Sequence, residues 1–371
     1  MTRGRVRVGL IGAGTISDEY LTSLTSYPDL EVIGVADLDV ARARAQAGTY
    51  AVPFAGPAED LLALPDLELV VNLTVPAAHA EVSMAAVAAG KHVWSEKPLT
   101  VDRESARALL AAASATGVTV GGAPDTILGD GIQTSHRLLD GGRIGQAQTL
   151  LTLMQGPGPD AWHPRPQFLF ARGAGPLFDI GPYYIATMAM MLGPVGAVRA
   201  VGHTARGVRT VMSGPDAGTT FDVEVPTHVS VLTEFVTGVI GTSIYSFESP
   251  VRRQTFEISG SDGTLAVPVS GFDGPSEIMP AAGEDPEWAR VERTGESRAR
   301  GVGVLETARA IRAGATPRAS GALAYHVLDV MLSIEESIES GAPVPVRSRF
   351  APVPPLGPEW RSSARTLGSG S

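Results

Sequence analysis

The sequence predicts two folds in succession: a doubly wound α/β domain, then an α+β domain built on a large open, mostly antiparallel sheet. Three observations carry this. Up to about residue 124, short apolar runs alternate with Ala- and Leu-rich stretches, the pattern of repeated βαβ units and a parallel sheet. The apolar run 6–11 ends in Gly12-Ala13-Gly14 ahead of a helix-compatible stretch, so the glycines sit between a strand and a helix, where they mean most. Beyond Pro124, β-like runs follow one another through Thr237-Gly238 and Gly260-Ser261-Asp262-Gly263, and strands joined by tight turns pair antiparallel.

Taken in order, strands are expected at 6–11, 31–36, 69–73, 91–94 and 118–121. Thr15 to Ser26, Ala77 to Ala89 and Asp102 to Thr116 are the crossover helices, with Gly after the last two. The second domain is expected to hold a helix at 127–139, a strand at 147–154, a Pro-rich aromatic loop at 156–175 and a helix at 176–192. Further strands are expected from 198 onward, at 227–235, 239–247, 256–259 and 264–267, then a loop-rich excursion at 271–300 and a closing helix at 320–340. The expected divisions are 1–124, 125–355 and a C-terminal tail, 356–371, whose Gly368-Ser369-Gly370-Ser371 has linker composition.

A chain of 371 residues exceeds what one hydrophobic core supports. No apolar run approaches the roughly 20 residues of a membrane helix, and the chain enters a strand too early for a secretory leader, so a cytoplasmic protein without membrane partners is expected. The absence of cysteine removes thiolate nucleophiles, disulfides and zinc-cysteine sites. A net charge of -10 disfavours nucleic acid as a partner; Arg3, Arg5 and Arg7 read as a solvated flank. His136, His203, His228 and His326 lack metal-ligand spacing, and no metal is expected.

The glycine turn is that of a Rossmann dinucleotide-binding domain. Gly12 permits the tight turn, Gly14 lets the backbone approach a pyrophosphate, and the helix start at Thr15 and Ile16 supplies amides and partial positive charge. Ser17 takes the third motif position; it is small enough for close helix packing. Asp37, at the end of the second strand, is placed to accept ribose hydroxyls and to repel a 2'-phosphate, so NAD is expected over NADP. Asp39 is the better candidate for capping the next helix.

Lys97 precedes a proline, which biases it toward extended conformations and hence to a strand end or loop. In open α/β sheets ligands bind at that carboxyl edge. Asp179 and Tyr183 are spaced i, i+4 on the expected helix 176–192, which gives them one face and excludes Tyr184.

Val71-Asn72-Leu73-Thr74-Val75-Pro76, His79, Gly90-Lys91-His92-Val93, Glu96-Lys97-Pro98 and Gly173-Ala174-Gly175 through Asp179, Gly181 and Tyr183 resemble the Gfo/Idh/MocA family. That family is named for glucose-fructose oxidoreductase, inositol dehydrogenase and the rhizopine catabolism protein. His326 to Met331 is similar to the closing helix of one of its sugar-associated branches. The resemblance implies a two-domain NAD(P)-dependent dehydrogenase or reductase acting on CH-OH groups of sugars, sugar derivatives or cyclitols. It implies that Lys97, Asp179 and Tyr183 face the nicotinamide, and that Thr74, Pro76, His79 and Glu96 belong to the cofactor side, a helix position without ligand contact being the alternative for His79. Tyr183 stands where much of the family has His. A phenol needs neighbouring positive charge to act as a base near neutrality, a field Lys97 can supply. Tyr183 is therefore expected to move the proton with Lys97 as electrostatic partner, unless Lys97 moves it, and Asp179 to hold a sugar hydroxyl. Trp162 and His163 are candidate substrate contacts; packing among loop aromatics is the alternative for both. Two further activities fit the same residues: glycoside cleavage through transient oxidation and elimination, and sugar sensing without chemistry. An open sheet commonly pairs with another copy, so a homodimer or homotetramer is expected.

Overall fold

The computed structural model describes residues 4–269, 271–282 and 286–368; Arg3 and the last three residues of the expected tail lie outside them. Contacts divide the chain into two compact units, 1–133 with 294–328 and 350–371, and 134–293 with 329–349.

The first unit contains six parallel strands, β1 (Val6–Ile11), β2 (Leu30–Ala36), β3 (Phe54–Gly56), β4 (Leu69–Asn72), β5 (His92–Ser95) and β6 (Val120–Gly122), ordered β3-β2-β1-β4-β5-β6. Every residue of β4 is buried, which is why it reads as a continuous apolar run rather than an alternating one. The crossovers are α1 (Ile16–Leu24), α2 (Val40–Thr49), α3 (Ala58–Leu62), α4 (His79–Ala88) and α5 (Arg103–Thr116). Helix α5 starts where the Asp102 carboxylate accepts from Ser105 N at 2.8 Å and stops at Gly117, φ +70°, the side-chain cap and left-handed terminus that such helices use. The sequence reading lacks β3 and α3: three and five residues carry too little periodicity. The strand order reverses direction between β1 and β4, and the carboxyl ends flanking that switch are where ligands bind in doubly wound folds.

The second unit begins within α6 (Asp130–Asp140) and carries a nine-stranded sheet. Its strands are β7 (Ala147–Gln155), β8 (Val195–His203), β11 (His228–Phe235), β12 (Ile240–Ser246), β13 (Arg253–Gly260), β14 (Gly263–Ala266), β15 (Ser276–Pro280), β16 (Ala289–Val291) and β17 (Val344–Pro345). A separate pair, β9 (Val208–Thr210) and β10 (Thr220–Asp222), lies between β8 and β11 in the chain. The order is β16-β15-β14-β13-β7-β12-β11-β8-β17, antiparallel at every step except β7 beside β12. Both expected hairpins form, with Gly238 at φ +90° between β11 and β12. The loop-rich excursion expected at 271–300 is corrected: it contributes β15 and β16, strands of five and three residues.

One face of this sheet is covered. Tyr184 meets the rings of Tyr245 and Phe256 at 6.0 and 6.2 Å, and Thr152 Oγ1 donates to Ser243 Oγ at 2.8 Å. The other face carries Leu151, Leu232, Ile240 and Val201, all exposed; registers Leu151↔Thr242, Leu232↔Thr242 and Val201↔Ser230 set them on one side.

The helix expected over 176–192 is two helices, α7 (Gly175–Asp179) and α8 (Gly181–Leu192). Pro182 has no N–H to donate, and Ile180 is the junction. Asp179 therefore ends one helix and Tyr183 lies in the first turn of the next, rather than sharing a continuous i, i+4 face.

The expected boundary at 124 and the expected tail also need correction, because late segments return to the first unit. Helix α9 (Val302–Ala313), absent from the sequence reading, seats Gly303 so close to the Trp94 ring that a Cβ would meet Cη2 at 2.0 Å. Helix α10 (Gly321–Ser340) belongs to both units: Gly321 borders Val120, while Ser337 Oγ accepts from Ala200 N at 2.9 Å. The tail is docked through residue 367. Buried Asp29 accepts from Thr366 N, Thr366 Oγ1, Leu367 N and Arg309 Nε at 2.7–3.1 Å. Trp360 lies under both Arg298 and Arg309, 4.7 Å from each guanidinium carbon to the ring centre. Burial alone would raise the Asp29 carboxyl; the bonds from Leu367, Thr366 and Arg309 hold it below the usual carboxylate range. Deleting 360–371 is expected to destabilise the first unit by about 2–4 kcal/mol. Because the folded value is depressed, Asp29's contribution is present above the ordinary carboxylate pKa of about 4 and disappears as pH falls through the folded value. Denaturation of both forms should show a gap that is full at pH 7 and narrows in acid.

Candidate active site

Gly12 has φ +106°, and a Cβ on it would meet the Leu73 carbonyl carbon and oxygen at 2.6 Å, so the ends of β1 and β4 approach as only glycine allows. At Gly14 an added Cβ meets nothing within 4 Å; the space over the turn is open, which fits the close approach of a pyrophosphate. Thr15 makes no side-chain cap on α1, so the first-turn amides of α1 receive no bond from it and suit an anion. Ser17, fully buried, donates its hydroxyl to Gly14 O at 2.6 Å and accepts from Gln46 at 3.2 Å. The third motif position is thus a small residue closing the turn.

Asp37 lies at the end of β2. Its Oδ2 accepts from Ala13 N at 2.7 Å and its Oδ1 from Asp39 N at 2.8 Å, so it shapes the glycine turn while keeping lone pairs for a ribose. Asp39 caps α2 by accepting from Ala41 N and Arg42 N. Arg42 sits 3.8 Å from Asp37 and 3.7 Å from Asp39, so this stretch has two carboxylates and one guanidinium. Leu38, fully exposed between them, offers an apolar surface.

Lys97 follows β5 at the carboxyl edge, as its proline implies, with a cis Lys97-Pro98 peptide. Its backbone is held by its neighbour: Glu96 Oε2 accepts from Lys97 N at 2.9 Å, and Oε1 accepts from Tyr20 OH at 2.8 Å. Trp94 Nε1 in turn donates to the Tyr20 oxygen at 3.2 Å. Burial, then the charges of Glu96 and Asp125, push the Tyr20 phenol well above its ordinary value, so it remains a neutral donor. Asp125 is itself pushed up to about 6, first by burial and further by Glu96, against the opposing charge of Arg300. It accepts from Gly301 N at 2.7 Å and lies 3.4 Å from Arg300. Sequence reasoning missed Tyr20 and Asp125; a tyrosine in a helix carries no mark of its partner.

The loop after β4 is organised by Asn72, whose Oδ1 accepts from Thr74 N and Oγ1 at 3.2 and 2.6 Å and whose Nδ2 donates to His79 O and Ser83 Oγ at 3.0 Å each. His79 was expected on the cofactor side of this loop. The alternative, a helix residue without ligand contact, fits its burial: it is 1% exposed, with ring nitrogens 2.6 Å from Pro98 O and 2.9 Å from Thr74 O. It ties the Thr74 loop to the Lys97-Pro98 loop from behind. Thr74 is half-buried, and exposed Val75 and Pro76 stand in front.

In the second unit, a pocket of about 360 Å³ brings together Trp162 and Asp179 with Gln155, Arg252, Arg253 and Gln254. Tyr183 and His163 are not among its lining residues. Tyr183 is half-buried, its N–H bonded to Ile180 O at 3.1 Å and its carbonyl accepting from Thr187 Oγ1 at 2.7 Å. The His163 ring meets Trp162 and Phe168 edge-on at 5.5 and 5.4 Å, and its Nδ1 accepts from Arg165 N at 3.0 Å. His163 thus packs among loop aromatics, the alternative to substrate contact. Tyr184 is buried in the core, where desolvation raises its phenol. The two arginines also escaped sequence reasoning, though consecutive arginines after Ser249-Pro250-Val251, at the start of a strand, were a usable signal.

A parallel sheet with a glycine turn at its switch point, followed in the chain by a second unit on a broad mixed sheet, is the architecture of an oxidoreductase with an NAD-binding Rossmann fold. The chain belongs to the GFO/IDH/MocA family: "Oxidoreductase family, NAD-binding Rossmann fold" matches residues 6–122, and "GFO/IDH/MocA C-terminal domain" matches 132–266. It is 28% identical over 267 residues to 1,5-anhydro-D-fructose reductase of Ensifer adhaerens, covering 70% of this chain and 74% of that protein. It is 31% identical over 280 residues to dTDP-3,4-didehydro-2,6-dideoxy-alpha-D-glucose 3-reductase of Streptomyces antibioticus, covering 71% and 76%. Its fold matches an NAD binding oxidoreductase from Klebsiella pneumoniae with a TM-score of 0.83 at 22% identity, over 93% and 99% of the chains. Levoglucosan dehydrogenase in complex with NADH and L-sorbose matches with a TM-score of 0.80 at 21% identity, over the same shares. Among the described residues no helix is long and apolar enough to cross a membrane.

The two glycines separate folding from binding. Gly12→Ala is expected to destabilise the first unit by about 2–4 kcal/mol, through the backbone clash and the left-handed φ. Gly14→Ala should leave the melting temperature within a few degrees but weaken NADH binding about tenfold or more, read by fluorescence titration.

Proposed function

We propose that this protein transfers a hydride between NAD(H) and a secondary alcohol or ketone of a sugar, sugar derivative or cyclitol. The observation that carries the reading is Lys97, held through its backbone by Glu96 at the carboxyl edge of the Rossmann sheet. Gly14 and Asp37 stand at the same edge. When bound, the nicotinamide accepts or returns the hydride. The protein's task is the other half: oxidising CH-OH releases a hydroxyl proton, and reduction must restore it. Tyr183 is assigned as the proton carrier, Lys97 as the cation that favours its phenolate and orients the reacting oxygen, and Asp179 as an acceptor for a neighbouring hydroxyl. Trp162 offers an apolar ring to a sugar face. Gly12, Gly14, Thr15, Ile16, Asp37, Thr74, Pro76 and Glu96 are assigned to the cofactor side, with His79 supporting it.

The test is turnover with NAD and a panel of polyols, followed as reduced cofactor. Lys97→Met should lower kcat by about 10²–10⁴ while NADH still binds. Turnover untouched by this substitution defeats the assignment. Bond cleavage without net reduction of NAD would favour transient oxidation and elimination; stoichiometric binding without turnover would favour sensing.

NAD is preferred to NADP in this reading because Asp37 repels a 2'-phosphate. Asp37→Ser should cost about tenfold to a hundredfold in kcat/KM for NAD, the loss of one charge-assisted bond. It should also raise the relative use of NADP, since Arg42 then faces one carboxylate fewer. We assign the exposed face bearing Leu151, Val201, Leu232 and Ile240 to pairing with a second copy, as a homodimer or homotetramer; a monomeric mass in sedimentation would refute this.

A further inference from the structure

We propose that the pocket of the second unit is built for an anionic substrate, a monosaccharide or cyclitol bearing a carboxylate or phosphate monoester, with Arg252 and Arg253 as its anion-recognising residues. The inference rests on the reading that this unit handles the polyol, and narrows the substrate class.

Charge is the first argument. The chain has ten more acids than bases, yet among the described residues the only carboxylate lining the pocket is Asp179, against two guanidiniums. Neither Arg252 nor Arg253 forms an ion pair among the described residues. The neighbouring acids are committed elsewhere. Glu248 accepts from Arg209 at 2.6 Å, from Arg206 at 3.3 Å and from Thr227, while Asp160 accepts from Arg209 at 2.7 Å. Those bonds and Arg206 hold the Glu248 carboxyl below its ordinary range, although burial works against them. The fold thus neutralises the arginines beside the pocket and, among the described residues, gives the two in its wall no ion pair.

Position is the second. The Arg252 side chain lies over Gly156, its Cγ 3.8 Å from where a Cβ would stand. Gly156 is a pocket-lining residue on the strand-end loop, so the stem of Arg252 runs along the wall. Arg253 pairs in register with Gln155, and Gln254 with Met154, all pocket residues. A planar guanidinium matches carboxylate and phosphate oxygens with two parallel bonds. A neutral polyol has no need of two such groups, since Asp179, Gln155 and Gln254 already supply acceptors and donors. Room is the third: about 360 Å³ is near the small end of ligand sites and suits one ring with its substituent.

The experiment compares D-glucuronate, D-glucose 6-phosphate, D-glucose and myo-inositol on the intact protein. Binding to the NADH-loaded form is measured by calorimetry, and NAD-dependent turnover is measured alongside. One anionic arm should bind at least about tenfold tighter than either neutral ligand; which arm wins identifies carboxylate or phosphate. Arg252→Ala and Arg253→Ala should each cut that preference about tenfold, with Arg252→Lys recovering part of it, while NADH fluorescence titration reports an intact first unit. Equal or better binding of the neutral ligands, or a preference that survives both alanine variants, overturns the proposal and makes the arginines solvated surface groups. Arginine-dependent anion binding without any turnover would sustain this inference and defeat the oxidoreductase reading on its own.

Discussion

The carboxylate of Glu96 is where the first unit converges. One oxygen takes the hydroxyl of Tyr20 from α1, the helix whose start faces the dinucleotide turn, and the other takes the backbone N–H of Lys97. A hydrogen bond to a charged group contributes about 1.5–3 kcal/mol, against up to about 2 kcal/mol for fixing a glutamate side chain. Two such bonds are enough to hold it in one orientation. The glutamate of Glu96-Lys97-Pro98 therefore registers the lysine loop against the nucleotide helix. Trp94 extends the same chain inward from β5, and its ring is the surface on which Gly303 of α9 rests.

That arrangement leaves a second carboxylate, Asp125, buried and within the field of Glu96, which adds to burial in disfavouring its ionisation. The unit meets this with Arg300 and with the Gly301 amide at the start of α9. Helix α9, which begins at Val302, is thus part of the electrostatics of the Lys97 loop. A division of the chain at residue 124 could not have represented this, because the compensating cation arrives from the far end of the sequence.

The parts of the candidate site that were legible in the sequence are those carried by local signals at the ends of strands. Gly12, Gly14 and Asp37 are local signals, and the proline after Lys97 dictates an extended strand end whatever else the chain does. The parts that were not legible depend on partners distant in sequence. His79 looks like a groove residue until the carbonyls of Thr74 and Pro98 are seen on either side of its ring. Asp179 and Tyr183 look like one helical face until Pro182 breaks the helix at Ile180. Thr366 and Leu367 carry no mark of docking in the sequence, yet buried Asp29 fixes them. Composition measures what a segment offers; only a partner decides whether the offer is taken up.

The second unit adds a constraint of opposite sign. A protein with net charge -10 presents a field that disfavours anions at long range, but that field is screened within about 8–10 Å at physiological salt. Inside that distance local charges govern, and there Arg209 and Arg206 absorb Asp160 and Glu248 while Arg252 and Arg253 are left to the pocket wall. Discrimination by charge then operates at contact rather than during approach, and it falls to the guanidiniums that the fold does not neutralise.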